Sequence, residues 1–171
     1  MKLNLGSHDR VIPGYDNMDF GDYPGLKYKG DVSDLSQFHD DSIEVIRASH
    51  ILEHFAPKRT EAILREWRRA LKPDGLLYLS VPNWEILVEI YLKDGLGEWI
   101  INMLYGDQGY DGAEHKTVFD ERRLTMYLKK AGFTDVSIVE ELPDTPTGEC
   151  SLLRSTLDTK LISLNVIAVK G

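Results

Sequence analysis

The sequence has a single cysteine, Cys150, among its 171 residues. One thiol closes no intrachain disulfide, so the fold must stand on its core, and a reducing cytoplasm fits that usage. Long apolar runs are missing too. No stretch approaches the roughly 18 residues of a membrane-spanning helix, and no signal-like segment precedes the first predicted strand, so no membrane partner is expected. Positive charge is also in deficit, with 20 Lys and Arg against 28 Asp and Glu and a net charge of −8. Binding to a phosphate backbone leans on a basic surface, so this balance argues against a nucleic-acid partner. The basic residues that do cluster, Lys58-Arg59 and Arg65 with Arg68-Arg69, alternate with Glu61 and Glu66, as a solvated helix face does. Repeats, low-complexity tracts and linkers are lacking, and the length fits one domain, residues 1–171, with a real core.

What is present is an alternation of strands and helices. Strands are predicted at Lys2–Leu5, Asn17–Phe20, Leu26–Tyr28, Ile43–Ser49 and Gly75–Val81. Thr60–Leu71 carries Ile63, Leu64, Trp67, Ala70 and Leu71 on one helical face. Helices follow around Trp84–Leu92 and Glu98–Leu104, then Glu121–Ala131, which stops at Gly132 as a C-terminal cap requires. Thr134–Glu140 and Leu161–Val169 read as strands with no convincing helix between them, so the last pair is antiparallel. The fold class is therefore α/β, a Rossmann-like, doubly wound and mostly parallel sheet with an antiparallel C-terminal strand. A dinucleotide dehydrogenase would continue with parallel units, so this ending argues against that class. Residues 83–118 form a helical and loop insert in which Trp84 and Trp99 are expected to pack on the sheet. The glycine-flanked loop Gly106–Glu114, with Tyr110 at its centre, is a candidate substrate lid.

Particular segments carry a family resemblance. They are LNLGS at residues 3–7, NMDF at Asn17–Phe20, GDVSDL at Gly30–Leu35 and ASHILEHF at Ala48–Phe55. RRALKPDGLLYLSVPN at residues 68–83, EHKTVF at Glu114–Phe119 and LKKAGF at Leu128–Phe133 complete the series. In this order and spacing the chain resembles the small class I S-adenosylmethionine-dependent methyltransferases along nearly its whole length. The resemblance implies sheet order 3-2-1-4-5-7-6, S-adenosylmethionine as cofactor and S-adenosylhomocysteine as product. It places Asn4, Gly6, Ser7 and His8 in the cofactor loop, Asp19 on the ribose hydroxyls, Asp31 with Val32 at the adenine, and Ser49 with His50 at the methyl end. Asn4 stands where the family often has an acid, and His8 where it has a glycine chosen for close approach or positive φ. The first crossover is confined to residues 7–18, about the minimum for a parallel connection, so its helix is expected to be shortened or absent. With the first strand beginning at residue 2, the site is expected to be shallow and open, and completion by a second copy, a homo-oligomer, would suit it.

Methyl transfer to a hydroxyl or amine needs positioning and a proton acceptor. Imidazoles titrate near neutrality, which makes His50, His54 and His115 the candidates. His50-Ile51-Leu52-Glu53-His54 also matches the H-x-x-E-H pattern of a zinc peptidase class. That pattern needs both histidines on one sustained helix, whereas His50 follows directly on a strand and Pro57 comes soon after. No third ligand is identifiable, so no metal is expected. Neither an Asp/Asn-Pro-Pro-aromatic turn nor a Pro-Cys nucleophile follows the fourth strand, which, with the acidic charge, favours a small-molecule or glycan-precursor acceptor. The alternative is a non-catalytic protein of the same fold that binds the cofactor or a partner.

Overall fold

The computed structural model describes residues 1–109, 112–154 and 160–171. β1 (Lys2–Leu5) is the pivot of a seven-stranded sheet, pairing in parallel with β2 (Asp16–Asp19) on one side and β4 (Ile43–Ser49) on the other. β3 (Tyr28–Lys29) extends the sheet in parallel beyond β2, and β5 (Leu71–Pro82) beyond β4. β7 (Ser163–Val169) then lies antiparallel between β5 and β6 (Val136–Val139). The order is β3-β2-β1-β4-β5-β7-β6, as the resemblance implies. Leu5 is in register with Met18 on one neighbour and Ala48 on the other. Gly6, Asp19 and Ser49 are therefore brought to one level at the carboxyl ends of three strands. The connections leaving β1 and β4 run in opposite directions along the sheet, so this is the switch point where open parallel sheets place their ligands.

Among the described residues there are four α-helices, α1 (Thr60–Ala70), α2 (Trp84–Asp94), α3 (Glu98–Tyr105) and α4 (Glu121–Ala131). α1 and α4 pack together over one face of the sheet, burying Ile63, Leu64 and Trp67 from one and Leu124 and Leu128 from the other. Burial of each such side chain contributes about 1.5–3 kcal/mol. Asp120 caps α4 by accepting the Arg123 N–H at 2.6 Å, and Gly132 ends it in the left-handed region. A smaller cluster on Val45 and Tyr78 takes Ile12 from the β1–β2 connection and Leu142 from the β6–β7 connection. Trp67 does a second job. Its indole N–H donates to the Val32 carbonyl at 2.8 Å, tying α1 to the turn after β3.

The basic residues of α1 are engaged with the fold. Arg65 and Arg68 donate to the carbonyls of Lys130 and Gly132 at the C-terminus of α4, where positive charge opposes the helix dipole. Arg69 joins Glu66 and Asp40 and also reaches two backbone carbonyls.

The first crossover helix is absent, as expected, and residues 6–15, 20–27 and 30–42 all run as turns and extended chain. Pro13-Gly14 and Pro24-Gly25 interrupt the first two. In the third, Asp31 and Asp34 accept the N–H groups of Ser33 and Ser36, local bonds that compete with a helix ladder. Trp84 does not pack on the sheet: it is 38% exposed, and Leu87 and Ile90 supply the buried face of α2. Among the described residues no helix is long and apolar enough to cross a membrane.

Candidate active site

A cavity of about 1250 Å³ opens beyond the carboxyl ends of β1, β2 and β4. Asn4, Gly6, Ser7, His8, Asp19, Asp31, Val32 and Ser49 all line it, as do His50 and His54. His115 stands behind that wall.

The loop after β1 is built around Asp19. Its Oδ2 accepts the His8 N–H at 2.9 Å and its Oδ1 the Gly21 N–H at 3.0 Å, so one buried carboxylate sets both the β1–β2 loop and the turn after β2. A carboxylate has about four acceptor sites, so capacity remains on the cavity side. Asn4 is buried and donates to Asn17 Oδ1 at 2.9 Å, which stitches β1 to β2. His8 takes a positive φ of 49°, a conformation that side chains seldom adopt, and its ring lies 4.0 Å from that of Tyr23.

Gly6 has a φ of 64°, and a Cβ on it would lie 1.8 Å from Ile51 Cδ1. Ile51 is a flexible apolar tip and can rotate aside, so the lasting cost of a side chain here is the left-handed backbone. Gly6→Ala should therefore destabilise the chain by about 1–2 kcal/mol in urea unfolding. Adding Ile51→Ala should leave that cost in place; full rescue would mean that the steric contact dominates.

At the other wall His50 also takes a positive φ, of 54°. Ser163 Oγ donates to the Cys150 carbonyl at 2.9 Å and so accepts from His50 Nε2, also at 2.9 Å. This leaves Nδ1 of His50 facing Glu53 Oε1 at 3.3 Å, an electrostatic contact rather than an aligned hydrogen bond. Glu53 is 0% exposed, lies in a single 3-10 turn (Leu52–His54), and its backbone carbonyl holds the N–H groups of Lys116 and Thr117. That pairing folds the insert back and sets His115 Nε2 at 3.9 Å from Glu53 Oε1. Burial works to raise the Glu53 carboxyl, but the three imidazoles around it outweigh burial and hold it below its ordinary value. Burial pushes His115 below the usual imidazole value, against the pull of Glu53.

The β6–β7 connection walls the cavity from the remaining side through Pro146, Gly148, Glu149 and Cys150. Arg47, in the middle of β4 and 0% exposed, holds it in place. Its guanidinium donates to the Pro143 carbonyl at 3.3 Å, Thr145 Oγ1 at 3.1 Å and Glu149 Oε2 at 3.0 Å. Arg10, from the loop after β1, reaches the Gly148 carbonyl at 3.3 Å. In the candidate lid, Gly106 is pinned, since a Cβ there would fall 1.9 Å from the Ala113 carbonyl oxygen. Asp107 and Gly112 reach the cavity, while Tyr110 lies outside the described residues.

The profile of a methyltransferase domain matches residues 10–138, about three quarters of the chain. The chain belongs to that methyltransferase-domain family. Solved structures share its fold at low identity. A SAM-dependent methyltransferase from Archaeoglobus fulgidus is 15% identical with a TM-score of 0.62, covering 98% of this chain and 85% of its own. A possible histamine N-methyltransferase from Thermotoga maritima is 18% identical with a TM-score of 0.61, covering 99% and 82%. The CurJ carbon methyltransferase is 17% identical with a TM-score of 0.64, covering 99% of this chain and 48% of that one. The chain thus spans about half the length of the CurJ structure and of a citrinin polyketide synthase methyltransferase domain, 46% in the latter case. Among curated proteins no sequence matches.

In this methyltransferase domain, sequence reasoning missed two residues of the site. Glu53 is the charged centre of the histidine cluster, and its signal was present as the Glu of H-x-x-E-H. Arg47 anchors the far wall, and its signal was a lone arginine inside the otherwise apolar strand Ile43–Ser49. His115 belongs to the cluster but does not face the cavity.

Proposed function

We propose that this domain transfers the methyl group of S-adenosylmethionine to a small-molecule or glycan-precursor acceptor. The observation that carries the reading is the cavity at the switch point, where the Asp19 carboxylate stands on one side and the His50 imidazole on the other. Its volume exceeds the about 300–1,000 Å³ of an ordinary ligand pocket, room for a nucleoside-sized cofactor and a small acceptor together. The residues present fit the cofactor. Asp19 retains acceptor capacity for ribose hydroxyls, Asp31 and Val32 stand at the adenine end, and Gly6, Ser7 and His8 form the loop between them. Asn4 and Ser49 complete the wall. When bound, the cofactor supplies a methyl group activated on a sulfonium. The protein supplies alignment for in-line attack and a place for the acceptor's proton. His50 is that place: it lines the cavity, and with Nε2 committed to Ser163 it would take the proton on Nδ1, the nitrogen beside Glu53 Oε1. His54 shares the wall and His115 backs it.

Calorimetric titration of the purified protein with S-adenosylmethionine and S-adenosylhomocysteine tests the reading. Saturable binding of both is expected, and His50→Ala should keep that binding while lowering the transfer rate to a hydroxyl or amine acceptor by about 100-fold. No binding at millimolar cofactor would sink the proposal. Binding by a protein that transfers to no acceptor would favour the non-catalytic reading.

A further inference from the structure

Beneath the cavity wall three groups converge from two separate segments. Glu53 and His54 come from the 3-10 turn after β4, and His115 comes from the insert. One donor atom from each lies within 4.8 Å of the others. The His54 and His115 rings meet edge to face with centroids 4.8 Å apart. Three further observations mark these groups as waiting for a partner. Both Glu53 oxygens are buried without an aligned hydrogen-bond donor, a costly state for a carboxylate unless positive charge is at hand. His54 Nδ1 is likewise buried and unpartnered. His115 donates from Nδ1 to the Met103 carbonyl at 2.9 Å, which fixes its tautomer and leaves the Nε2 lone pair on the Glu53 side. A backbone carbonyl orienting an imidazole in this way is the usual outer contact of a histidine ligand.

We infer that Glu53, His54 and His115 form a binding site for a divalent cation of the zinc class. Two imidazole nitrogens and one carboxylate are the donor set of open, catalytic-type zinc sites, which keep a fourth position for water or substrate. Magnesium prefers six oxygens and suits this set poorly. Tetrahedral zinc places its ligand atoms about 3.3 Å apart, so binding draws the three groups inward by about 1 Å. A one-turn 3-10 segment and a loop accommodate that by side-chain rotation. The site is not the one suggested by H-x-x-E-H, because His50 spends Nε2 on Ser163 and lies off the turn. The missing third ligand is instead supplied by His115, some sixty residues further on. The site stands whether or not the domain transfers methyl groups, and it leaves His50 outside the ligand set.

The test uses the full chain stripped with chelator and titrated with Co²⁺ and then Zn²⁺. The expected result is one cobalt per chain with the intense visible bands of a low-coordinate site, displaced by stoichiometric zinc and not by millimolar magnesium. His115→Ala, His54→Ala and Glu53→Gln should each weaken zinc binding by about 100-fold or more, and zinc should raise the melting temperature of the wild type alone. His39→Ala, an exposed histidine elsewhere, should match the wild type. Circular dichroism identifies any variant that fails to fold, and the remaining variants then decide. No cobalt spectrum in the wild type overturns the proposal. Unchanged binding in the folded variants overturns the ligand assignment, and displacement by magnesium overturns the metal class. A cobalt spectrum in a protein that binds no S-adenosylmethionine would leave this site standing while the methyl-transfer reading falls.

Discussion

Asp19→Ala should abolish measurable binding of S-adenosylmethionine, a loss of about 100-fold or more. Two losses combine. Charge-assisted hydrogen bonds from two ribose hydroxyls are worth about 1.5–3 kcal/mol each, and the variant has no acceptor for either. The same carboxylate holds the N–H groups of His8 and Gly21, so its removal leaves two donors unmet at about 1–3 kcal/mol each and frees the loop that approaches the cofactor. Asp19→Asn separates the two. It preserves shape and one acceptor oxygen, but its amide nitrogen must oppose either the His8 or the Gly21 N–H. The asparagine variant should therefore fold, melt a few degrees lower, and still bind at least about 10-fold more weakly. Calorimetric titration beside thermal melts reads both effects. If the asparagine variant binds like the wild type, Asp19 organises the loop without touching the ribose, and the cofactor lies elsewhere in the cavity.

How far the sequence announced this site depends on the reach of each interaction. Lys2–Leu5, Ile43–Ser49 and the helical face of Ile63, Leu64 and Trp67 were legible, because apolar periodicity is a local signal and the core enforces it. The antiparallel ending was legible from the want of a helix between two late strands. Asp19 was legible as an acid at a strand end, but not its two backbone partners, which depend on how a ten-residue connection folds back. The turns at 30–42 were not announced, since they rest on local Asx-type bonds at Asp31 and Asp34 rather than on any apolar period. Glu53 and His115 could not be paired in advance. Their meeting is fixed by Lys116 and Thr117 donating to the Glu53 carbonyl, a contact with no signature in either segment.

Arg47 carries the largest expected effect on stability. Arg47→Ala should destabilise the chain by about 3–5 kcal/mol, because it strands the buried Glu149 carboxylate and removes the anchor of the β6–β7 connection. Arg47→Met with Glu149→Leu should recover much of that loss, since removing both charges also removes the cost of desolvating them. The double variant should nevertheless bind cofactor more weakly than the wild type: the Pro143 carbonyl and Thr145 Oγ1 lose their donor, and the wall formed by Pro146 and Gly148 loosens. The pair also sets an acid limit. Burial works to raise the Glu149 carboxyl, but donation from Ser151 and the charge of Arg47 outweigh it, and it lies below its usual value of 4.5. A carboxyl depressed in the folded state contributes stability that is fully present above the unfolded value and is lost as pH falls through the folded one. The wild type should accordingly lose stability below about pH 4.5 more steeply than the double variant, read as urea midpoints at successive pH values. Parallel curves for the two proteins would show that Arg47 and Glu149 are coupled too weakly to hold the wall. The retained affinity of the double variant would then have to come from Arg10, whose contacts with the Gly148 carbonyl and Cys150 Sγ tie the β1 loop to that wall.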